Sequence, residues 1–325
     1  MRAIKIGILA AGRIAKSMAE TIREMKLATG YAVASRDIER AEAFAKEYGI
    51  LKAYGSYEEL VNDPEVELVY VASPHSHHYE HIKLCLEHGK HVLCEKAFTV
   101  TEAQAREVTA LAKEKGLLLA EAMWVRYMPM ARTLTDVVKS GVIGEVSTVT
   151  ANLYYLISGK ERIQRPELAG GALLDVGIYP LTFASIVMGD EIARIEACGT
   201  KTETGVDAQN SITIFYKDGR MAQVCSGIMS LSDRKGMIYG SKGYIIVENI
   251  NNFERIEVYD TGRKLVAAYD CPPQISGYEY EVNACVEAIL NGWTECPQMP
   301  HSQTIEMMRQ MDEIRRQMGV SYPCE

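Results

Sequence analysis

Ile6-Gly7-Ile8-Leu9-Ala10-Ala11-Gly12-Arg13-Ile14-Ala15 reads as a β-strand, a tight turn and the start of a helix. Positions 10, 12 and 15 occupy the places of a G-x-G-x-x-G/A fingerprint, with Ala10 standing for its first glycine. Gly12 lets the backbone approach a pyrophosphate, which also meets the positive end of the helix dipole. Alone the pattern is weak, because any strand-to-helix turn favours small residues. The following residues strengthen it. Short apolar runs at Ile4–Leu9, Tyr31–Ala34, Lys52–Tyr54, Leu68–Ala72, His91–Leu93 and Leu117–Ala120 alternate with stretches of helical spacing. Those stretches are Ile14, Met18, Ile22, Met25, then Tyr79, Ile82, Leu86, then Ala105, Val108, Leu111, with Thr99 or Thr101 able to cap the last. Apolar strands joined by helical crossovers predict a parallel sheet covered on both faces. Residues 1–122 are therefore expected to form a doubly wound Rossmann domain that binds a dinucleotide.

The texture changes after residue 122. Helical pieces at Met130–Lys139 and Ala172–Met188 flank a strand-like run at Val146–Leu156. Further strand-like runs follow at Ile192–Gly199, Ser211–Tyr216, Met221–Ser226, Lys235–Tyr239, Tyr244–Glu248 and Arg255–Tyr259, punctuated by Gly and Asp-Gly turns. Helices near Tyr278–Asn291 and Ser302–Met318 close the chain, and the stripe Met307, Met311, Met318 reads as core or subunit contact. Residues 123–325 are expected to be an α+β domain with an open, mostly antiparallel sheet. The fold class is thus α/β.

Composition narrows the function. The 325 residues carry 35 basic and 43 acidic side chains, a net charge of −8, which argues against a broad grip on nucleic acid or anionic lipid. No apolar run is expected to approach the ~18 residues a membrane helix needs. The apolar N-terminal stretch is too short for a signal peptide, and Arg13 and Lys16 follow at once. Eight cysteines form no Cys-x-x-Cys pair, so a zinc ribbon or disulfide framework is disfavoured and a cytoplasmic protein with reduced thiols is expected.

The second strand ends without the carboxylate that an NAD ribose wants; Ser35 and Arg36 stand there, with Arg40 one turn on. A hydroxyl and guanidinium groups suit a 2′-phosphate, which favours NADP over NAD. The plainer alternative makes Asp37 a helix cap and the arginines solvent charges. After the fourth strand comes Ser73-Pro74-His75-Ser76-His77-His78, and after the fifth Cys94-Glu95-Lys96-Ala97. His77 and His81 are four apart, but nothing nearby completes a zinc set, so no metal is expected. Lys96, just past a buried strand, costs desolvation unless it has a task or a partner such as Glu95. In Gly170-Gly171-Ala172-Leu173-Leu174-Asp175-Val176-Gly177-Ile178-Tyr179, Asp175 and Tyr179 project from one helix face, and the glycines permit close approach to another layer. A tyrosine hydroxyl of pKa ~10 is a poor base until a neighbouring ammonium favours its phenolate. Lys96 is a candidate for that charge; the alternative leaves Tyr179 a core aromatic and Asp175 a cap or ion-pair partner.

These segments recur in order with Ala-Glu-Ala-Met-Trp-Val-Arg-Tyr at 120–127, and the whole chain resembles the glucose–fructose oxidoreductase/inositol dehydrogenase/MocA family. Within it the chain is most similar to the branch of dimeric dihydrodiol dehydrogenases and NADP-dependent xylose dehydrogenases. The resemblance implies a Rossmann domain, a C-terminal domain whose open sheet forms a dimer, Lys96 at cofactor and substrate, Tyr179 as acid/base with Asp175 beside it, and Trp124 and Arg126 beside the cofactor. Three positions depart from the family pattern: Ala10 for glycine, Ala97 for proline and His75 for asparagine.

Catalysis is thus expected from Lys96, Asp175 and Tyr179. Cofactor contacts are expected from Ala10, Gly12, Arg13, Ile14, Ser35, Arg36, Arg40, Ser73, Pro74, His75, His78, Glu95, Lys96, Trp124 and Arg126. Trp124, Arg126, Tyr127, Tyr154, Arg162 and Arg165 are candidate pocket residues. The expected reaction is hydride transfer between NADP(H) and a hydroxyl or carbonyl of a small-molecule sugar, polyol or cyclic trans-diol, in a homodimer or larger homo-oligomer. The rival is a non-catalytic NADP(H) sensor, which has no need of the three catalytic side chains; a metal-dependent hydrolase is a distant third.

Overall fold

In the computed structural model, which describes residues 2–325, the chain forms two compact units. One runs to Tyr127 and takes back Gln274–Ile305; the other is Met128–Pro273 with Glu306–Glu325. The division therefore differs from the expected break after residue 122, and the stretch 123–325 is not one domain. Part of the reason is local: Leu119 donates its N–H to the Thr294 carbonyl, so the returning segment satisfies the last strand of the first unit.

The first unit is built on β1 (Ile4–Leu9), β2 (Ala28–Ala34), β3 (Lys52–Tyr54), β4 (Leu68–Val71), β5 (His91–Glu95) and β6 (Leu119–Ala122). All pairings are parallel, in the order β3-β2-β1-β4-β5-β6. β4 is buried at every position, as a strand covered on both faces must be. Helices Arg13–Glu24, Ile38–Tyr48, Tyr57–Asn62, His78–Glu87 and Glu102–Lys115 make the crossovers. Asp37, Ser56 and Thr101 cap three of them, Ser56 in a capping box with Glu59. The helices at 38–48 and 57–62 lie outside the expected set; each is short and carries a polar face.

The second unit holds β7 (Val146–Tyr154), β8 (Ile192–Lys201), β9 (Asp207–Tyr216), β10 (Met221–Gly227), β11 (Gly236–Gly240), β12 (Gly243–Glu248), β13 (Arg255–Asp260) and β14 (Leu265–Asp270). They form one sheet in the order β14-β13-β12-β11-β7-β10-β9-β8, antiparallel except for the β7–β10 pair. β14 is an additional strand at the sheet edge with side chains largely in solvent, which leaves no alternating pattern to read. The other face is apolar: Val149, Ala151, Leu153, Ile212, Ile214, Ala222, Val224 and Ile238 are buried. Helix Ile178–Met188 packs on this sheet. Gly236 has no room for a side chain, since a Cβ there lies 2.4 Å from Phe183 Cζ.

Two corrections concern that helix. The expected Ala172–Met188 helix is a π-turn at Leu173–Gly177 followed by α-helix at Ile178–Met188. Pro180 has no N–H to donate and its ring clashes with the carbonyl four residues back in a regular helix, so a widened turn ahead of it relieves both demands. Also, contrary to the expectation about apolar runs, Pro166–Met188 is long and apolar enough to cross a membrane, with mean hydropathy 1.6 over its best 18 residues. Of that window 89% is buried inside the fold, as in a core helix.

Candidate functional site

β1 delivers its chain to Ala10, which takes φ +78°. This is the left-handed conformation glycine adopts without penalty, and an alanine there costs about 1–2 kcal/mol. The glycine-type turn is therefore kept despite the substitution. Gly12 follows as the N-cap in an extended conformation with no capping side chain, which leaves the first-turn N–H groups of helix Arg13–Glu24 as an anion cradle. A Cβ on Gly12 would lie 3.8 Å from the Ala72 carbonyl oxygen, an ordinary contact, so the approach to the turn is open. The residues present fit a dinucleotide pyrophosphate.

At the end of β2 the roles divide. The Asp37 carboxylate accepts from Glu39 N at 3.0 Å and Arg40 N at 3.3 Å, and so is spent on capping the next helix. Arg40 donates to the Ala11 carbonyl through Nη2 at 2.8 Å and Nε at 3.2 Å. Arg40 thereby braces the β1 turn. Ser35 is buried and accepts from Asp37 N at 3.3 Å. Arg36 is exposed, and its charge helps hold the His77 imidazole below its ordinary pKa, after burial. Burial pushes His81 down to about 4, with His77, His78 and Arg36 adding to it.

His78 links the loops after β4 and β5. Its Nδ1 lies 2.8 Å from the Ala97 carbonyl and its Nε2 2.8 Å from that of Ser73. Burial pushes the ring down to about 4, so near neutral pH it donates to one of the two. Being wholly buried, His78 has no surface for a cofactor; it holds the loop of Lys96 in place, a correction to its expected role. The Lys96–Ala97 peptide is cis. Glu95 is buried and accepts the Tyr70 hydroxyl proton. His75 is buried, with its ring edge-on to His78 at 5.8 Å. Among the described residues no three His, Cys, Asp or Glu side chains converge as a metal would need.

The returning segment adds residues that sequence reasoning missed. Tyr278 stacks on Trp124 with ring centroids 4.6 Å apart, and Arg126 Nη2 donates to Gln303 Oε1 at 2.8 Å. Tyr127 is buried and donates to the Glu121 carbonyl at 3.0 Å, so it belongs to the core and not to a pocket wall. Burial pushes the Glu121 carboxyl up to about 7, with Thr304 and the charge of Arg126 pulling the other way. Glu281 is wholly buried, neither carboxyl oxygen has a hydrogen-bond partner, and burial together with Glu95 raises it well above the usual carboxylate range.

In the second unit the expected close approach of glycines is observed. A Cβ on Gly170 would lie 2.4 Å from the Ile163 carbonyl oxygen, and Gly171 N donates to that carbonyl at 2.9 Å. Gly171 has φ +106°, and a Cβ there would lie 2.3 Å from Asp207 Oδ1. The pinned loop brings Arg162 Nη2 to 2.9 Å from Asp175 Oδ1. Tyr179 is buried in the first turn of helix Ile178–Met188. Asp207 Oδ2 accepts from Leu173 N at 2.8 Å and Asn210 Nδ2 at 3.1 Å, and burial pushes its carboxyl up to about 6. Tyr154 lies against Gly227, while Arg165 is exposed and paired with Glu161 at 2.9 Å.

Two family profiles match the chain. One describes an oxidoreductase family with an NAD-binding Rossmann fold and covers residues 4–123; the other is the GFO/IDH/MocA C-terminal domain over residues 131–246. The chain belongs to the GFO/IDH/MocA oxidoreductase family. It is 34% identical to trans-1,2-dihydrobenzene-1,2-diol dehydrogenase of Mus musculus, over 99% of this chain and 98% of that one. It is 33% identical to D-xylose 1-dehydrogenase (NADP(+)) of Hypocrea jecorina, over 98% and 93%. The fold matches KijD10, a 3-ketoreductase from Actinomadura kijaniata crystallised with NADP and TDP-benzene, with TM-score 0.90, 24% identity and 98% coverage of both chains. This GFO/IDH/MocA member is an NAD(P)-dependent oxidoreductase, as its sequence led one to expect.

Glu121 gives a measurable signature. Its carboxyl titrates near 7 when folded and near 4.5 otherwise, so the folded state holds the extra proton between those values. Stability from this group is complete below the lower value and is lost as pH rises through the upper one. Glu121→Gln is expected to gain on the wild type by up to about 3 kcal/mol between about pH 4.5 and about pH 8, measured by urea unfolding. A gap between the two proteins that does not change with pH would contradict the burial argument.

Proposed function

We propose that the protein transfers a hydride reversibly between NADP(H) and a secondary or hemiacetal hydroxyl, or the matching carbonyl, of a sugar, polyol or cyclic trans-diol. The observation that carries this reading is the stretch 173–179: a buried tyrosine in the first turn of the helix that follows a π-turn, with an arginine-paired aspartate on the π-turn. A non-catalytic NADP(H) sensor has no use for that arrangement. Relatives that match over 98% and 93% of their length are named for a cyclic diol and for D-xylose, which supports the substrate class. The Arg36 cation at the end of β2, with Asp37 spent as a cap, supports NADP over NAD.

Gly12 and the first N–H groups of helix Arg13–Glu24 would hold the cofactor's pyrophosphate, and the cofactor, when bound, would supply or accept the hydride. Tyr179 takes the hydroxyl proton in oxidation and returns it in reduction. Lys96 contributes positive charge that favours the oxyanion as that proton leaves. Asp175, held by Arg162, orients the substrate hydroxyl. Ser35 and Arg36 bind the 2′-phosphate.

We further place the protein in the cytoplasm as a homodimer joined through its open sheet. The β14 edge exposes Leu265, Val266 and Tyr269, the kind of edge and apolar surface that a partner covers.

Three measurements test these statements. With NADP+ and a panel of aldoses, inositols, polyols and trans-dihydrodiols, Lys96→Met and Tyr179→Phe are each expected to lower turnover about 10²-fold or more. Full activity in both would refute the assigned roles. Arg36→Ala is expected to weaken NADPH binding by about tenfold while leaving NADH binding nearly unchanged, read by fluorescence titration. Equal effects on both cofactors would remove the case for a 2′-phosphate site. Light scattering on the eluted protein is expected to give twice the chain mass, and a monomer at micromolar concentration would exclude the dimer.

A further inference from the structure

A hydrogen-bonded line of buried side chains runs beneath the π-turn Leu173–Gly177, and the roles assigned above leave it without a task. Asp207 at the start of β9 accepts the Leu173 N–H at 2.8 Å and the Asn210 amide at 3.1 Å, both on Oδ2. Asn210 Oδ1 in turn accepts the Ser226 hydroxyl at 2.9 Å. All three side chains are buried. The line touches the turn at both ends. Gly171, just before it, has no space for a Cβ because of Asp207 Oδ1, and a Cβ on Gly177 would lie 2.8 Å from Ser226 Oγ.

A carboxylate at this place does more than fill space. The first N–H groups of a helical segment lack partners within it, and a buried one left unpaired is costly. Leu173 N is such a group, and Asp207 answers it. A buried carboxylate is costly to withdraw from water, and a neutral apolar residue would avoid that cost. What the acid supplies in return is direction: the π-turn is fixed at Leu173 by Asp207 and at Gly177 by the far end of the same chain.

We propose that Asp207, acting through Asn210 and Ser226, is a positioning residue that sets the placement of Tyr179 by anchoring both ends of the π-turn. The inference rests on the reading of Tyr179 as the acid/base group. Misplacing a reacting group by about 1 Å costs on the order of 10²-fold in rate. Asp207→Ala removes the anchor. Asp207→Asn keeps a carbonyl oxygen for the Leu173 N–H and the Asn210 amide, and is expected to restore the placement.

The test uses the full-length protein with tyrosines labelled at Cζ with carbon-13, so that it does not depend on knowing the substrate. The Tyr179 resonance is identified as the one lost in Tyr179→Phe. It is expected to shift or double in Asp207→Ala, to return to its wild-type position in Asp207→Asn, and to leave the line of the first-unit residue Tyr70 unmoved throughout. An unmoved Tyr179 line in Asp207→Ala overturns the proposal, even with a lowered melting temperature, because a merely structural role would show only that. If Asp207→Ala fails to fold, Ser226→Ala removes the far link instead: a shifted Tyr179 line supports the proposal and an unmoved one overturns it. Turnover of D-xylose and trans-1,2-dihydrobenzene-1,2-diol with NADP+ separates this from the underlying reading. Tyr179→Phe at wild-type rate refutes the acid/base role, whatever the resonances show.

Discussion

Strand β1 is hydrogen-bonded on both sides, to β2 along Ile4–Leu9 and to β4 along Ile6–Leu9, with all three running the same way. Parallel neighbours cannot be joined by a tight turn, so the chain leaves the carboxyl end of β1 in one direction and that of β4 in the other. The loops diverge at this point, and the backbone between them opens a crevice above β1. The remaining features of the first unit serve that opening. Ala10 accepts an unfavourable φ, Gly12 supplies no side chain, Arg40 braces the Ala11 carbonyl, and His78 ties the two loops on the β4 side to each other.

The same unit also bears a concentration of buried acids. Glu95, Glu121 and Glu281 are all withdrawn from water, with Tyr70 donating to the first. Burial, with the charge of Glu95 adding to it, pushes the Glu121 carboxyl up to about 7 and raises Glu281 well above the usual carboxylate range. The second unit solves a different problem. Its helix carries Pro180 in the first turn and packs on a sheet through Phe183, so the irregularity falls in the turn ahead of it, at Asp175 and Gly177.

Periodicity made most of the strands and three of the five crossover helices legible because they are buried on one or both faces. The apolar run Leu68–Val71 and the alternation in Val146–Tyr154 declare themselves for that reason. β14 was illegible because an edge strand in solvent has no inward face to mark. The glycine pair at 170–171 was correctly read as a close-approach device, although what it approaches, the Ile163 carbonyl and the Asp207 carboxylate, lies too far along the chain for spacing to reveal. Arg40 and His78 show the opposite limit. Their residue types suit a phosphate or a ring, yet both hydrogen-bond backbone carbonyls, and a residue's type says nothing of which acceptor reaches it first. Tyr278 and Gln303 could not be assigned to the cofactor unit from sequence, because nothing in their local pattern distinguishes a returning segment from a continuing domain.

That return has a consequence in time. The first unit needs Gln274–Ile305 to cover Trp124, to answer the Leu119 N–H and to bring Glu281 into its interior, yet synthesis places the whole of Met128–Pro273 in between. A ribosome therefore finishes most of the second unit before the first can close. The nucleotide unit spends that interval with part of its core exposed, and neither unit is complete until the stretch after Pro273 has emerged.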